Sequence, residues 1–298
     1  TITGSGTSFT TLNPVGTNTY ISIRQNCYRV SSVTNNTTLT IADTFQGKSV
    51  SGASFFACKM LSDISIKNLT LTGSSGVGML IRGTRNCIFE NIVIGSCVTA
   101  GMNIINGCGN AVINCLITNI TGSGFINDSS LGTSFANCRG LNCTIYGFNI
   151  TGSSKSTFIT NCQGSNNYIG IICDSGTIDT SISNSICNNN SNDGLFYSSS
   201  AGATISGCTA SYNGSNGFCM EGNDSIVDGC IATYNTQYGV NLLGTNTVSN
   251  CRISYNQING IFTENSSHSQ IVGNYIHNHA SGDGIGISIS LNTEKTII

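Results

Sequence analysis

Four acidic residues, Asp128, Asp174, Glu221 and Glu264, fall at a shared position of a periodic pattern. Each lies four residues after a glycine that precedes an apolar residue. The full column at that position reads Arg82, Ile105, Asp128, Thr151, Asp174, Ser198, Glu221, Leu243, Glu264 and Ser288. If the repeating units are stacked strands, the acids stand on alternate strands, about 9–10 Å apart at twice the strand spacing. Inverting glycosidases hold their two carboxyls roughly 6.5–9.5 Å apart, which leaves room for a water. Asp174 and Glu221 are the central pair, one as acid and the other as base or nucleophile. Asp128 and Glu264 extend the row as ligand contacts. The same spacing also serves a soluble surface that keeps like charges from stacking.

A second set is aromatic. Tyr212, Tyr234 and Tyr255 sit in three successive units, each followed by an asparagine (Asn213, Asn235, Asn256). Earlier units carry Asn119, Asn142, Asn166 and Asn189 at the tyrosine position. Stacked Tyr-Asn rows are expected to offer ring faces and amides to a sugar chain, or to form a ladder that stabilises a turn. His268, His277 and His279 match no metal-binding spacing, and no CxxC motif is present for zinc. No Ser/His/Asp or Cys/His set emerges. Neither metal nor cofactor is expected.

These side chains are positioned by a repeat. Glycine before an apolar residue recurs at Gly78, Gly101, Gly124, Gly147, Gly170, Gly194, Gly217, Gly239, Gly260 and Gly284, in steps of 21–24 residues. In phase with it runs Asn68, Asn91, Cys115, Cys138, Cys162, Ser185, Cys208, Cys230, Cys251 and Asn274. Three residues earlier stand Ser65, Ile88, Val112, Phe135, Ile159, Ile182, Ile205, Val227, Val248 and Ile271. Short apolar runs with period-two alternation mean strands, and the unit is too short for a helix as well. A repeat of this length stacks as coils of a parallel β-helix. In that arrangement the glycine permits an unusual backbone angle on re-entry to a strand. The cysteine acts as a small hydrophobe at a tight inner corner. Asparagine at the ends of the column is expected to hydrogen-bond along the stack.

The chain contains 15 cysteines. In-register side chains point the same way rather than at one another, so free buried thiols are expected, and with them assembly in a reducing cytoplasm. Replacing Cys162 by Ser is expected to bury a hydroxyl without a partner. Positions two after each column glycine (among them Leu80, Ile126, Ile172, Phe196, Cys219 and Phe262) point outward by parity, an apolar stripe expected to mediate self-association.

Charged residues are only 8% and the net charge is −2, which leaves no basic footprint for nucleic acid. No apolar run is long enough to span a membrane, so no membrane insertion is expected. The chain opens Thr1-Ile2, without Met or a leader-like segment, and reads as a processed chain or a fragment.

Residues 1–58 lie outside the repeat. Their alternating runs, Tyr20–Arg24, Tyr28–Val33 and Leu39–Ile41, describe a small all-β module. The phrase "TITGSGTSFTTL … YISIRQNCYRVSSVTNNTTLTIADTFQGKSVSGASFF" resembles a β module of phage and viral tail, neck and fibre proteins. The repeats over residues 60–291 resemble the right-handed parallel β-helix of the pectin-lyase-like superfamily, which includes tailspikes, polysaccharide lyases, glycosidases and epimerases. The resemblance implies an all-β chain in two parts, 1–58 and 59–298, the second a right-handed helix of about ten rungs.

The pairing implies a spike or fibre on a virion surface that recognises a host cell-surface polysaccharide, assembled with other virion proteins as a homo-oligomer, typically a trimer. The superfamily's calcium-binding acidic cluster with a basic catalytic residue has no match here. A polysaccharide-cleaving hydrolase or lyase is the alternative, and a purely structural virion protein the third.

Overall fold

The computed structural model describes residues 1–3, 5, 9–12, 19–23, 26–42, 44–45, 55–174, 176–198, 202–266, 268–280, 284–290 and 296–297, with backbone alone at 11, 12, 22, 26, 27 and 55–59. The described residues are all-β apart from one 3-10 turn, Phe9–Leu12. No helix among the described residues is long and apolar enough to cross a membrane.

The first part is a five-stranded antiparallel sheet. Its strands run in the order Ile2–Thr3, Thr38–Ile41, Asn26–Asn35, Thr19–Ile23 and Phe55–Lys59. Alternation sends Ile21, Ile23, Tyr28, Val30 and Leu39 to one face, where they close over Phe9. Tyr20 points the other way and packs with Met60 against Cys108 and Leu131 of the repeats. The Arg85 guanidinium lies 4.5 Å above the Tyr20 ring. The module therefore seats on the first coils.

The repeats form a parallel β-solenoid. Sheet 1 has ten strands, from Val77–Arg82 to Ile287–Ile289. Sheet 2 stacks strands such as Ala111–Ile113 and Ser134–Ala136, and sheet 3 strands such as Leu116–Thr118 and Thr209–Ser211. Phe125 and Phe148 stack inside at 4.7 Å, and the edge of Phe135 meets both rings.

The corner between sheets 2 and 3 explains the cysteine column. Asn114, Asn137, Asn161, Asn184 and Asn250 hold left-handed φ values of 49–55°, and Gly207, Gly229 and Gly273 share the position at 60–68°. Asn and Gly are the residues that enter this region at least cost. The next residue turns inward, and its backbone N–H leaves the sheet ladder. The side chain one coil on accepts that N–H. Cys138 N donates to Cys162 Sγ at 3.4 Å, Cys162 N to Ser185 Oγ at 3.1 Å, and Cys251 N to Asn274 Oδ1 at 2.9 Å. The column thus demands a small inward acceptor, more than a small hydrophobe.

Several expectations are corrected here. In the first two coils the inward column is Leu69 and Ile92, because Ile92 pairs with Leu69 and Val93 with Leu116. Asn68 and Asn91 belong to the left-handed column, where the Asn91 amide donates to Asn68 at 3.1 Å. The apolar column opens with Ile66 and Phe89, not Ser65 and Ile88. In the last coil Ile261 pairs with Ile287, so the column glycine is Gly286 rather than Gly284, 26 residues after Gly260 (286 − 260).

The column glycines are needed for space, not for a left-handed backbone. A Cβ on Gly147 would stand 2.6 Å from the carbonyl oxygen of Gly170, and one on Gly217 as close to that of Gly239.

Among the described residues twelve cysteines are free and buried. Cys108, by contrast, is disulfide-bonded.

Candidate functional site

The outward surface of sheet 1 carries the acid row. Asp128 lies beside Ile105 on one side and Thr151 on the other. The pairs Ile150–Cys173, Cys173–Tyr197 and Tyr197–Met220 carry Asp174, Ser198 and Glu221 into one file. Thr151 Oγ1 donates to Asp174 Oδ2 at 3.4 Å, and Ser129 Oγ to Asp128 Oδ1 at 2.8 Å. Asp174 and Glu221 are exposed, whereas Asp128 and Glu264 are half-buried. Asp174 and Glu221 are two coils apart with Ser198 between them, so their backbones stand about 9–10 Å apart. The last member of the file is Ser290, not Ser288, since Thr263 pairs with Ile289.

The apolar stripe on this face is mostly covered. Ile172 and Cys219 are buried, and Ile126, Phe196 and Phe262 half-buried. Tyr238 stacks on Phe262 at 4.7 Å. Of the stripe, only Leu80 is strongly exposed. The stripe expected to mediate self-association is therefore partly covered within one chain, and at Phe262 the cover is Tyr238, the residue directly before column Gly239.

That covering column holds a residue that sequence reasoning missed. Asp193, directly before Gly194, is 5% exposed. Its Oδ1 accepts both the backbone N–H and the Nδ2 of Asn216, each at 2.9 Å. Burial pushes its carboxyl above the usual range, against the opposing pull of those hydrogen bonds. The thiol of Cys219 is pushed well up by burial, with Asp193 and Glu221 adding to the effect. Tyr146, in the same column, is raised by burial and then by Asp174. The only signal in the sequence was an acid directly before a column glycine, a position that other coils fill with Ile169, Asn216 or Tyr238.

The tyrosines stand elsewhere, on the corner between sheet 3 and sheet 1. Tyr212, Tyr234 and Tyr255 stack at 4.9 Å with planes 3° apart. All three are exposed and hold φ of 57–59°. The asparagines that follow them turn inward and are buried, which corrects the expectation of surface amides. Asn213 Oδ1 accepts from Asn190 N at 3.0 Å, and its Nδ2 donates to Cys187 O at 3.0 Å. This inner ladder repeats the logic of the cysteine column, with Asn167, Asn190, Asn213, Asn235 and Asn256 as members.

The stacked rings also cover one another. Tyr234 has both faces taken and Tyr255 one, with His277 edge-on to it at 5.6 Å. A left-handed residue costs about 1–2 kcal/mol where Asn would cost less. An aromatic pair returns about 0.5–1.5 kcal/mol. Two stacks do not fully offset three strained tyrosines. The corner and the inward turn of the chain separate Tyr212 from Glu221.

Two of the histidines are partly buried: His277 lies against Tyr255 and Tyr275, and burial lowers the pKa of His279, whereas His268 is exposed. Among the described residues no group of three or more His, Cys, Asp or Glu is arranged to hold a metal ion.

A family model described as "Right handed beta helix region" matches residues 55–187 and 169–298. No curated protein sequence matches the chain. Among solved structures, the A-module of mannuronan C-5 epimerase AlgE6 from Azotobacter vinelandii is similar, at 16% identity over 80% of this chain and 75% of that one, with a TM-score of 0.56. The periplasmic alginate epimerase AlgG gives 12%, 80%, 76% and 0.57 in the same order. The enzymatically active domain of tailspike protein 2 of bacteriophage CBA120 gives 12%, 75%, 42% and 0.54. At such identities the likeness is one of fold, and a fold of this kind hosts many chemistries.

Proposed function

The chain belongs to the right-handed β-helix family, and from that premise we propose that it is a glycan-recognising spike or fibre component of a virus particle. The observation that carries this reading is the outward face of sheet 1. Its coils follow one another in steps of 21–24 residues as far as Gly260, with no inserted loop to wall off a deep cleft. An extended polymer fits such a surface better than a small molecule does. The face offers carboxylates, hydroxyls and the Tyr238–Phe262 stack. The N-terminal module, by its resemblance to tail and fibre modules, supports a place in a virion, and seated on the first coils it suits an anchoring head.

The charge of the face narrows the ligand. Beyond Arg82, its outward columns contain no Lys, Arg or His among the described residues. A polyuronate would meet Asp128, Asp174, Glu221 and Glu264 with no cation to offset them. A neutral or amino-bearing glycan is favoured. The test is a glycan array probed with the full chain, with alginate as the negative control. Retention of neutral or amino-bearing glycans supports the reading, and a blank array overturns it.

A second reading has one observation of its own, the two-coil separation of Asp174 and Glu221 across Ser198. It fits an inverting hydrolase with a water between acid and base. Release of reducing ends from a bound polysaccharide, lost in Asp174→Asn and Glu221→Gln with binding retained, would establish it. Binding without release leaves recognition as the function.

A further inference from the structure

The left-handed column at the corner before sheet 1 changes character midway along the rod. Asn119, Asn142, Asn166 and Asn189 occupy it first, all exposed, with φ of 53–58°. Tyr212, Tyr234 and Tyr255 follow at nearly the same φ. The seam lies between Asn189 and Tyr212. There the stack ends with one ring face uncovered: Tyr212 is 58% exposed, and its only ring partner among the described residues is Tyr234 on the opposite face. The rings succeed one another at 4.9 Å, so the open face looks along the rod over the Asn189 coil.

We propose that the open face of Tyr212 is a sugar-binding platform, on which a pyranose ring stacks as the next member of the column with its hydroxyls meeting the amides of Asn189 and Asn166. The inference rests on the glycan-recognition reading and deepens it by naming a subsite away from the acid row. Three features define the occupant. It must be flat enough to continue a stack. One face must be apolar, to cover a tyrosine ring. Its edge must carry donors and acceptors, because the coils beneath present uncharged amides. A pyranose meets all three. A nucleobase also stacks, but its backbone phosphates would find no cation along this column. An apolar side chain of a protein partner would leave the amides unused.

Tyr234 and Tyr255 then act as positioning residues. Their stacking fixes the Tyr212 plane across the rod axis, and Asn278 Nδ2 donates to the Tyr255 hydroxyl at 3.0 Å to anchor the far end. This role accounts for strained tyrosines where asparagine serves in the coils before them.

The experiment uses the full chain and methyl glycosides of glucose, galactose, mannose and N-acetylglucosamine, in both anomers, as probes. Saturation-transfer NMR reports ring contact. The chain contains no Trp, so its intrinsic emission comes from tyrosine and gives an independent titration. At least one glycoside is expected to bind with little salt dependence. Tyr212→Asn, which installs the residue of the preceding coils and so preserves the corner, should weaken that binding roughly tenfold or more. Tyr212→Phe should retain it, and Asn189→Ala should weaken it a few-fold. If a glycan retained on the array binds Tyr212→Asn as tightly as wild type, the platform is overturned while glycan recognition stands. If the array and the glycosides are both blank, the recognition reading fails and the platform with it.

Discussion

The backbone N–H of Cys138 points at Sγ of Cys162 one coil further on, 3.4 Å away. The Cys162 thiol in turn lies within reach of Phe135 O and Thr160 O, at 3.5 and 3.4 Å. One side chain thus closes three backbone groups at a corner where the sheet ladder is interrupted. Ser185 does the same work in the next coil, accepting from Cys162 N at 3.1 Å and donating to Ser183 O at 2.9 Å.

It follows that Cys162→Ser is well tolerated, contrary to the expectation from sequence that a buried hydroxyl would lack a partner. Cys162→Ala should cost about 1–3 kcal/mol by orphaning the Cys138 N–H. Cys162→Leu should cost a similar amount by overpacking the corner. Urea denaturation midpoints at constant m-value would rank the three. Equal losses for Ser and Ala would show that acceptance of the N–H is not what the column supplies.

The repeat was legible because each coil solves the same corner with the same chemistry. Gly before an apolar residue and the inward Cys therefore gave the coil length and most of the register. The phase slipped where that chemistry changed. Leu69 and Ile92 replace the cysteine in the first coils, so their left-handed neighbours Asn68 and Asn91 looked like the column. Parity also fails across a left-handed residue, which is why Tyr212 faces out and Asn213 in. The acid row was legible because its members share one column of one strand. Asp193 was not, since no neighbouring coil has an acid at its position and only the packing shows that it is buried.

The column glycines and the left-handed corner glycines should separate into two classes on substitution. A Cβ on Gly147 would lie 2.6 Å from Gly170 O, 2.7 Å from Asn167 Nδ2 and 2.9 Å from Gly164 Cα. Two of these three are backbone and cannot swing aside. Gly147→Ala should cost about 3 kcal/mol or more, since the stacked coils must separate to admit it. Gly229 has φ +60° and nothing within 4 Å of its would-be Cβ. Gly229→Ala should cost only about 1–2 kcal/mol, from left-handed strain, and Gly229→Asn less, as Asn250 shows in the next coil. Thermal unfolding of the three variants under one set of conditions checks the order.

The buried acid gives a prediction with a definite pH dependence. Burial raises the Asp193 carboxyl above its ordinary value of 3.8. The folded chain therefore binds this proton more tightly than the unfolded chain does. The stabilisation it brings is fully present below the unfolded value and is lost as pH rises through the folded one. At neutral pH the fold carries a buried carboxylate whose hydrogen bonds from Asn216 and from the Ser215 side chain only partly offset the cost of burial. Asparagine at 193 keeps an oxygen to accept the Asn216 bonds and removes the charge. Asn216, 5% exposed in the next coil of the same column, shows that the position accepts it. Asp193→Asn should therefore be more stable than wild type at pH 7, and the advantage should shrink on descent toward pH 4. Urea denaturation at the two pH values measures both terms. A stability difference independent of pH would mean that the carboxyl is solvated in the folded chain. A loss at pH 7 would mean that its charge is held by a partner that asparagine cannot replace.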